Sequence, residues 1–336
     1  MKAAYINKKG PAEAIRYGEL PIPRLAPGQA LVKVLAAAVN PIDTYVRSGD
    51  VPMEIPIPFI PGCDLAGVVE AVGAGVRHIK EGDRVWASNQ GVYGRQGTFA
   101  EYAAVDAHWL YPIPEGQSEV AAAAGALTGI TAHLGLFSTG KLRTGELVFV
   151  NGGTGGVGSA VVQLAKGAGA KVVTTAGSET KRELCRQWGA DLVLDYRAPD
   201  LDEQLRLYCE PLGGIDLWFE TRREPAFDRI VSLMAYRGRI ILMAGGDSNA
   251  KLPVGPFYFK ELRLLGLLMM KATPKEQRKS AIAINRSFSS GKWHPQVGRV
   301  FPLTDAAKAH AFQEESTLKG KGGLSGKIVV VPGSKE

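Results

Sequence analysis

The sequence predicts a mixed α/β protein in two parts: a β-rich first third, followed by a doubly wound parallel sheet. Three observations predict it. Short apolar runs punctuated by glycine and proline fill residues 30–103, the pattern of turn-rich β structure. From residue 147 to 269 apolar strand runs alternate with helical segments, the pattern of βαβ units. At 336 residues the chain exceeds the usual size of one domain, so two are expected.

In the first part, strands are expected at 30–35, 65–72, 84–87 and 98–103, separated by Pro27-Gly28, Pro61-Gly62, a turn at Gly82 and Gly97. An alanine-rich helix is expected over 120–135. Strands follow at 147–150, 171–175, 191–194, 215–219, 239–243 and 262–269, with helices between them at 157–168, 179–188, 200–210 and 225–236. A helix over 275–290 and a strand over 326–331 complete the chain. The last strand has no place in the alternation and is expected to rejoin the first domain. No internal repeat or low-complexity tract appears.

Composition narrows the function classes. Hydrophobic content of 45% and charged content of 22% are those of an ordinary globular protein. No apolar stretch reads as long enough to span a membrane, and Met1-Lys-Ala-Ala-Tyr-Ile6 begins like a strand rather than a secretory signal. The three cysteines, Cys63, Cys185 and Cys209, lie far apart. They suit a reducing cytoplasm and argue against a disulfide framework or a closed zinc site. The net charge of +7 suits a polyanionic small ligand as well as nucleic acid. The basic residues form no run, and no aromatic-plus-basic stacking motif accompanies them, so nucleic acid is the lesser expectation.

The densest signal is Leu147-Val-Phe-Val-Asn-Gly-Gly-Thr-Gly-Gly-Val-Gly158, a buried-strand run that drops into a glycine cluster opening a helix. Gly153, Gly155 and Gly158 satisfy G-x-G-x-x-G, with Thr154, Gly156 and Val157 between them. That spacing serves a tight turn, close backbone approach to a pyrophosphate, and tight helix-on-strand packing. A structural turn would use glycine too, but a second apolar strand at the βαβ distance favours a nicotinamide dinucleotide. The second strand ends in Gly177-Ser178 where an NAD-selective site usually carries Asp or Glu. Glycine and serine leave room for a 2′-phosphate, and Lys181 follows at the start of the next helix, so NADPH is the expected cofactor. Glu179 weighs against this, and Lys181 also suits an ordinary solvated helix position.

Together with Asn40-Pro-Ile-Asp43, Arg47-Ser-Gly49, Pro61-Gly-Cys-Asp-Leu-Ala-Gly67, Gly82-Asp-Arg-Val-Trp86, Gly97-Thr-Phe-Ala-Glu-Tyr102, Leu127-Thr-Gly-Ile-Thr131 and Gly326-Lys-Ile328, this loop resembles the zinc-independent, zeta-crystallin-like quinone oxidoreductases of the medium-chain dehydrogenase/reductase superfamily. The resemblance runs along nearly the whole chain. It implies a GroES-like β-rich catalytic domain from residues 1–124 and 292–336, a Rossmann domain from 125–291, and an active site in the cleft between them. It places Asn40, Asp43, Tyr45 and Thr128 about the nicotinamide. It adds Tyr196, Ala244, Gly245, Leu268 and Lys327 to the cofactor contacts, and a homodimer joined through the last Rossmann strand.

Each polar candidate also has a plainer use: Asn40 before Pro41 suits a turn, Asp43 a helix cap, and Tyr45 half-buried packing. Zinc-dependent members carry Cys, Gly-His-Glu and Cys where this chain has Asn40, Gly62-Cys63-Asp64 and Gly125. Cys63 and Asp64 alone do not make a catalytic zinc site. The expected reaction is therefore direct hydride transfer from nicotinamide C4 to a quinone or activated enone, without metal; no residue declares itself a general acid. The same scaffold serves 2-alkenal and enoyl-thioester reductases, and relatives of zeta-crystallin have been linked to RNA binding.

Overall fold

The structure is a computed structural model and describes residues 1–317, 320 and 323–333. The chain divides into two compact units. The first comprises Met1–Leu127, Thr273–Asn285 and the described residues from Pro295 on; the second comprises Thr128–Ala272 and Arg286–His294. The block expected over 125–291 is thus interrupted. Asn285 explains why: its Nδ2 donates to Pro112 O at 2.8 Å and its Oδ1 accepts from Trp86 Nε1 at 3.1 Å, both in the first unit.

In the first unit β1 (Lys2–Tyr5) and β2 (Arg16–Glu19) form an antiparallel pair. Next come β3 (Gln29–Val39), α1 (Pro41–Ser48), β4 (Asp64–Val72), β5 (Arg84–Ala87), β6 (Tyr102–Asp106) and β7 (Leu110–Pro112). β3 begins with the alternation of a half-buried strand: Ala30, Val32 and Val34 are buried, Lys33 and Leu35 exposed. From Ala36 to Val39 both faces are covered, and the strand runs four residues past its expected end. Gly67 of β4 crosses β3 so closely that a Cβ would lie 2.0 Å from Lys33 O. The strand expected at 98–103 starts only at Tyr102, because Phe99 O already accepts from Ala4 N–H at 2.8 Å.

The chain passes from one unit to the other within α2 (Glu119–His133), which continues as a π-helical turn over Leu134–Thr139. Contrary to the sequence expectation, Glu119–Thr139 is long and apolar enough to cross a membrane, an 18-residue window of it having a mean hydropathy of 1.5. Of that window 78% is buried inside the protein, as in a core helix. Gly135 lets it pack: a Cβ there would meet the Phe219 ring at 2.4 Å.

The second unit contains β8 (Leu147–Asn151), α3 (Gly156–Gly167), β9 (Lys171–Thr175), α4 (Glu179–Gln187), β10 (Leu192–Leu194) and α5 (Leu201–Cys209). It continues with β11 (Ile215–Glu220), α6 (Phe227–Leu233), β12 (Met234–Leu242), α7 (Val254–Phe259) and β13 (Arg263–Gly266). All six strands are parallel, in the order β10-β9-β8-β11-β12-β13. This is the doubly wound Rossmann arrangement, whose strand order reverses between β8 and β11. Phe149, Val173, Trp218, Ile230 and Ile240 belong to its core.

The strand expected over 239–243 is the longer β12, which begins five residues earlier, and two further expected elements in this unit differ from the structure. The helix expected to run to residue 236 stops at Leu233, because β12 already starts at Met234. The strand expected over 262–269 is only β13, four residues long; Leu267 N–H still reaches Leu242 O at 2.8 Å, but Met269–Lys271 turns as a 3-10 helix.

The chain ends with α8 (Pro274–Ser289), β14 (Val297–Pro302), α9 (Ala306–Thr317) and β15 (Lys327–Val331). β15 pairs antiparallel with β3 and parallel with β14, in a seven-stranded sheet ordered β14-β15-β3-β4-β5-β7 with β6 also on β3. The orphan final strand therefore rejoins the first unit.

Candidate cofactor and active site

The second unit gathers its expected contacts along the carboxyl edge of the parallel sheet. β8 ends at Asn151, and Gly152 turns the chain with a φ of 84°. A Cβ on Gly153 would lie 2.2 Å from Thr174 Oγ1, and one on Gly158 would lie 2.1 Å from Gly152 O. These two glycines are required by the protein's own packing. Gly155 is not: it is exposed, and its Cβ would approach only Gly152 O, at 3.5 Å. The space beside Gly155 is open to a ligand, and it adjoins the first N–H groups of α3 at Gly156, Val157 and Gly158. Such a helix start attracts a phosphate. The loop therefore fits a dinucleotide, with Thr154 buried beneath it.

Two residues that sequence reasoning missed brace the switch point. Asn151 Nδ2 donates to both oxygens of the Glu220 carboxylate, at 2.9 and 3.0 Å, joining the ends of β8 and β11. Glu220 is buried and also accepts from Trp218 Nε1 at 3.1 Å and Arg222 N–H at 2.8 Å. Burial raises its pKa, and the hydrogen bonds from Asn151 and Arg222 oppose the rise. The signal was present: a carboxylate closing the apolar run Leu217-Trp-Phe219 is out of place in a buried strand unless it is paired.

The β9 end carries the candidate 2′-phosphate group. Gly177 is pressed by Tyr196, whose hydroxyl lies 2.6 Å from where a Cβ would be. Ser178 is the N-cap of α4, and its Oγ accepts from Lys181 N–H at 3.3 Å, which leaves its own proton to donate. Lys181 is half-buried, and burial lowers its pKa. Glu179, which weighed against a phosphate here, is bound by Arg182 and Arg186, each at 2.7 Å. Ala244 and Gly245 follow β12; a Cβ on Gly245 would strike Arg223 O at 2.0 Å. Leu268 lies just beyond β13 and is half exposed, and Thr128 is buried on α2.

The first unit brings Asn40, Asp43 and Lys327 into one buried network with Cys63, Asp64 and Ser88. Asp43 takes its capping role, accepting from Asn40 N–H at 2.7 Å. Lys327 Nζ donates to Asn40 Oδ1 at 2.6 Å and to Val39 O. Asn40 Nδ2 donates to Asp64 Oδ2 at 2.9 Å, and Ser88 Oγ to Asp64 Oδ1 at 2.6 Å. Burial pushes Asp43 up to about 7 and Asp64 up to about 6, and it lowers Lys327. Cys63 hydrogen-bonds Asp43 as a thiol held well above its usual pKa by burial. Tyr45 lies half-buried on α1. Sequence reasoning placed Lys327 among the cofactor contacts; the structure gives it a buried place inside this network.

Comparisons with known proteins agree with this geometry. Residues 26–115 match the alcohol dehydrogenase GroES-like domain, and residues 156–285 match the zinc-binding dehydrogenase family. A quinone oxidoreductase of Pongo abelii is 31% identical over 98% of both chains. The crystal structure of an NAD-dependent alcohol dehydrogenase superposes with a TM-score of 0.88 at 30% identity, covering 99% of this chain and all of the other. The Escherichia coli quinone oxidoreductase solved with NADPH superposes with a TM-score of 0.86 at 26% identity and the same coverage.

A family that includes zinc-binding dehydrogenases raises the question of zinc, and the residues present do not fit one. A catalytic zinc needs three firm ligands around an open position. Here Asn40 offers only an amide, already engaged by Asp64 and Lys327, and the ammonium of Lys327 stands where a cation would have to bind. Among the described residues no cluster of three His, Cys, Asp or Glu is arranged for a metal.

Proposed function

We propose that this chain, which belongs to the quinone oxidoreductase family of the medium-chain dehydrogenase/reductase superfamily, reduces quinones or activated enones with NADPH and without a metal. The observation that carries this reading is the carboxyl edge of the second unit. An open glycine loop stands at the switch point, and no carboxylate terminates β9, where Ser178 and Lys181 stand instead. NADPH, when bound, supplies a hydride from nicotinamide C4 to an acceptor that is already electrophilic.

The chain's own residues bind and position. The start of α3 offers N–H groups to the pyrophosphate, and the Ser178 hydroxyl and Lys181 ammonium offer charge-assisted contacts to the 2′-phosphate. Asn151 and Glu220 fix the strand ends that set the glycine loop. In the first unit, Lys327 and Asp64 fix the amide of Asn40 and hold the start of α1, which carries Asp43 and Tyr45. With no Lewis acid to stabilise an alkoxide, oxidation of simple alcohols is disfavoured, whereas positioning alone serves a quinone or enone.

The reading includes a cytoplasmic setting, supported by three free, buried cysteines, and a homodimer. The direct test is a panel of benzoquinone, 9,10-phenanthrenequinone, a 2-alkenal and crotonyl-CoA, each with NADPH and NADH. Reduction of a quinone or the alkenal with NADPH is expected. Turnover of none of the four would overturn the reading, and turnover confined to crotonyl-CoA would move it to an enoyl-thioester reductase.

A further inference from the structure

Beyond the Ser178 and Lys181 pair, one guanidinium on the same edge makes no ion pair among the described residues, although its charge favours the buried Glu220 carboxylate. Arg222 follows β11 by two residues and is exposed. Its backbone N–H is held by Glu220 Oε1 at 2.8 Å. Among the described residues its guanidinium makes no salt bridge. The neighbouring cations are all committed: Arg182 to Glu179 and Asp195, Arg186 to Glu179 and Glu183, Arg197 to Asp195, and Arg223 to Asp247.

The Arg222 guanidinium lies instead 5.8 Å from the centre of the Tyr196 ring, within the range of a cation–π contact. Arg197 stands 5.7 Å from the same ring. Tyr196 follows β10, while Arg222 follows β11, and β9 and β8 lie between those strands in the sheet. The contact thus spans the ends of the two strands that carry Gly177 and the glycine loop. Tyr196 itself presses on Gly177, one residue before Ser178.

We propose that Arg222 is a second specificity-determining cation for the 2′-phosphate, brought to the Ser178 and Lys181 group from the far side of the glycine loop and held there by the Tyr196 ring. This rests on the reading of NADPH as the cofactor. The ligand chemistry it recognises is a phosphate monoester on ribose. A guanidinium resting on a ring face gains charge-assisted hydrogen bonds when such a dianion arrives, and it gives up no ion pair to do so.

The test is equilibrium binding of NADPH and of NADH, read by calorimetry, to the wild type, Arg222→Met, Tyr196→Ala and the double variant. Arg222→Met is expected to weaken NADPH about tenfold, in the range of a hydrogen bond to a charged group, and to leave NADH within about twofold. Tyr196→Ala should reproduce part of that loss, and the double variant should lose less than the two losses combined, since the ring acts by holding the guanidinium. The salt dependence of NADPH binding should fall in Arg222→Met. Equal weakening of both cofactors, or a preference for NADPH that survives Arg222→Met, would overturn the proposal alone. A wild type that binds NADH as tightly as NADPH would overturn the cofactor reading, and this proposal with it.

Discussion

Lys327 and Asn40 are joined by a buried hydrogen bond in which the ammonium donates to the amide oxygen at 2.6 Å. Because Asn40 Nδ2 is held by Asp64, the amide has one orientation, and a lysine from the last strand fixes the residue that opens α1. The positive charge opposes the rise that burial imposes on the Asp64 and Asp43 carboxyls.

Removing that charge takes away the buried cation that favours the charged forms of both Asp64 and Asp43. Lys327→Met is expected to cost about 1–3 kcal/mol in urea unfolding, as for buried acceptors, here Asn40 Oδ1 and Val39 O, left without their donor. Lys327→Met with Asp64→Asn should recover part of the loss, since one of the two buried carboxyls that Lys327 attracts is then neutral. A double variant as unstable as the sum of the two would show that the pair does not interact.

The same network predicts metal independence. The purified protein should carry no stoichiometric zinc, and its quinone activity should persist in EDTA. One tightly held zinc per chain, with activity lost on its removal, would contradict the Lys327 argument directly.

Much of this was legible in the sequence, because glycine spacing and apolar runs report backbone constraints that act locally. Gly153 and Gly158 have the tight contacts that their spacing implied, and β15 was recognisable as an orphan strand. The partners of Lys327 and Glu220 were not legible, because each acts on residues distant in the chain: Asn40 lies 287 positions from Lys327, and Asn151 lies 69 from Glu220. Arg222 was missed for a related reason. Its meaning depends on Tyr196, which only the sheet order brings near. Residues 262–269 misled because an apolar run fits a strand and an exposed surface equally well.

That surface motivates the dimer. β13 is the edge strand, and Leu264 on it is 38% exposed; α7, which precedes it, leaves Val254 65% and Phe259 72% exposed. An uncovered strand edge beside apolar side chains invites pairing with a second copy. Light scattering at micromolar concentration should give twice the chain mass or a higher even multiple. Leu264→Lys with Phe259→Asp should shift it toward the monomer. A wild type that is strictly monomeric would refute the pairing.

Stability should respond to pH through two buried groups with opposite signs. His310 on α9 is fully buried, and neither ring nitrogen has a hydrogen-bond partner among the described residues. It packs edge-on against Phe99 at 5.4 Å, and burial together with the Arg47 charge lowers its pKa from 6.5 to about 3. Between those values the unfolded chain binds a proton that the folded chain refuses, so stability is lost as pH falls through that window. Asp43 behaves oppositely. Its folded pKa of about 7 lies above the ordinary 3.8, so the folded chain holds the extra proton, and stability is lost as pH rises from about 4 to 7. His310→Phe should therefore gain on the wild type progressively below pH 6.5. Asp43→Asn keeps an oxygen to accept from Asn40 N–H; it should gain progressively above pH 4 and level off past pH 7. Urea midpoints of both variants and the wild type at pH 4, 5.5, 7 and 8.5 would check each sign, and a difference from wild type that stays flat with pH would remove that group from the account.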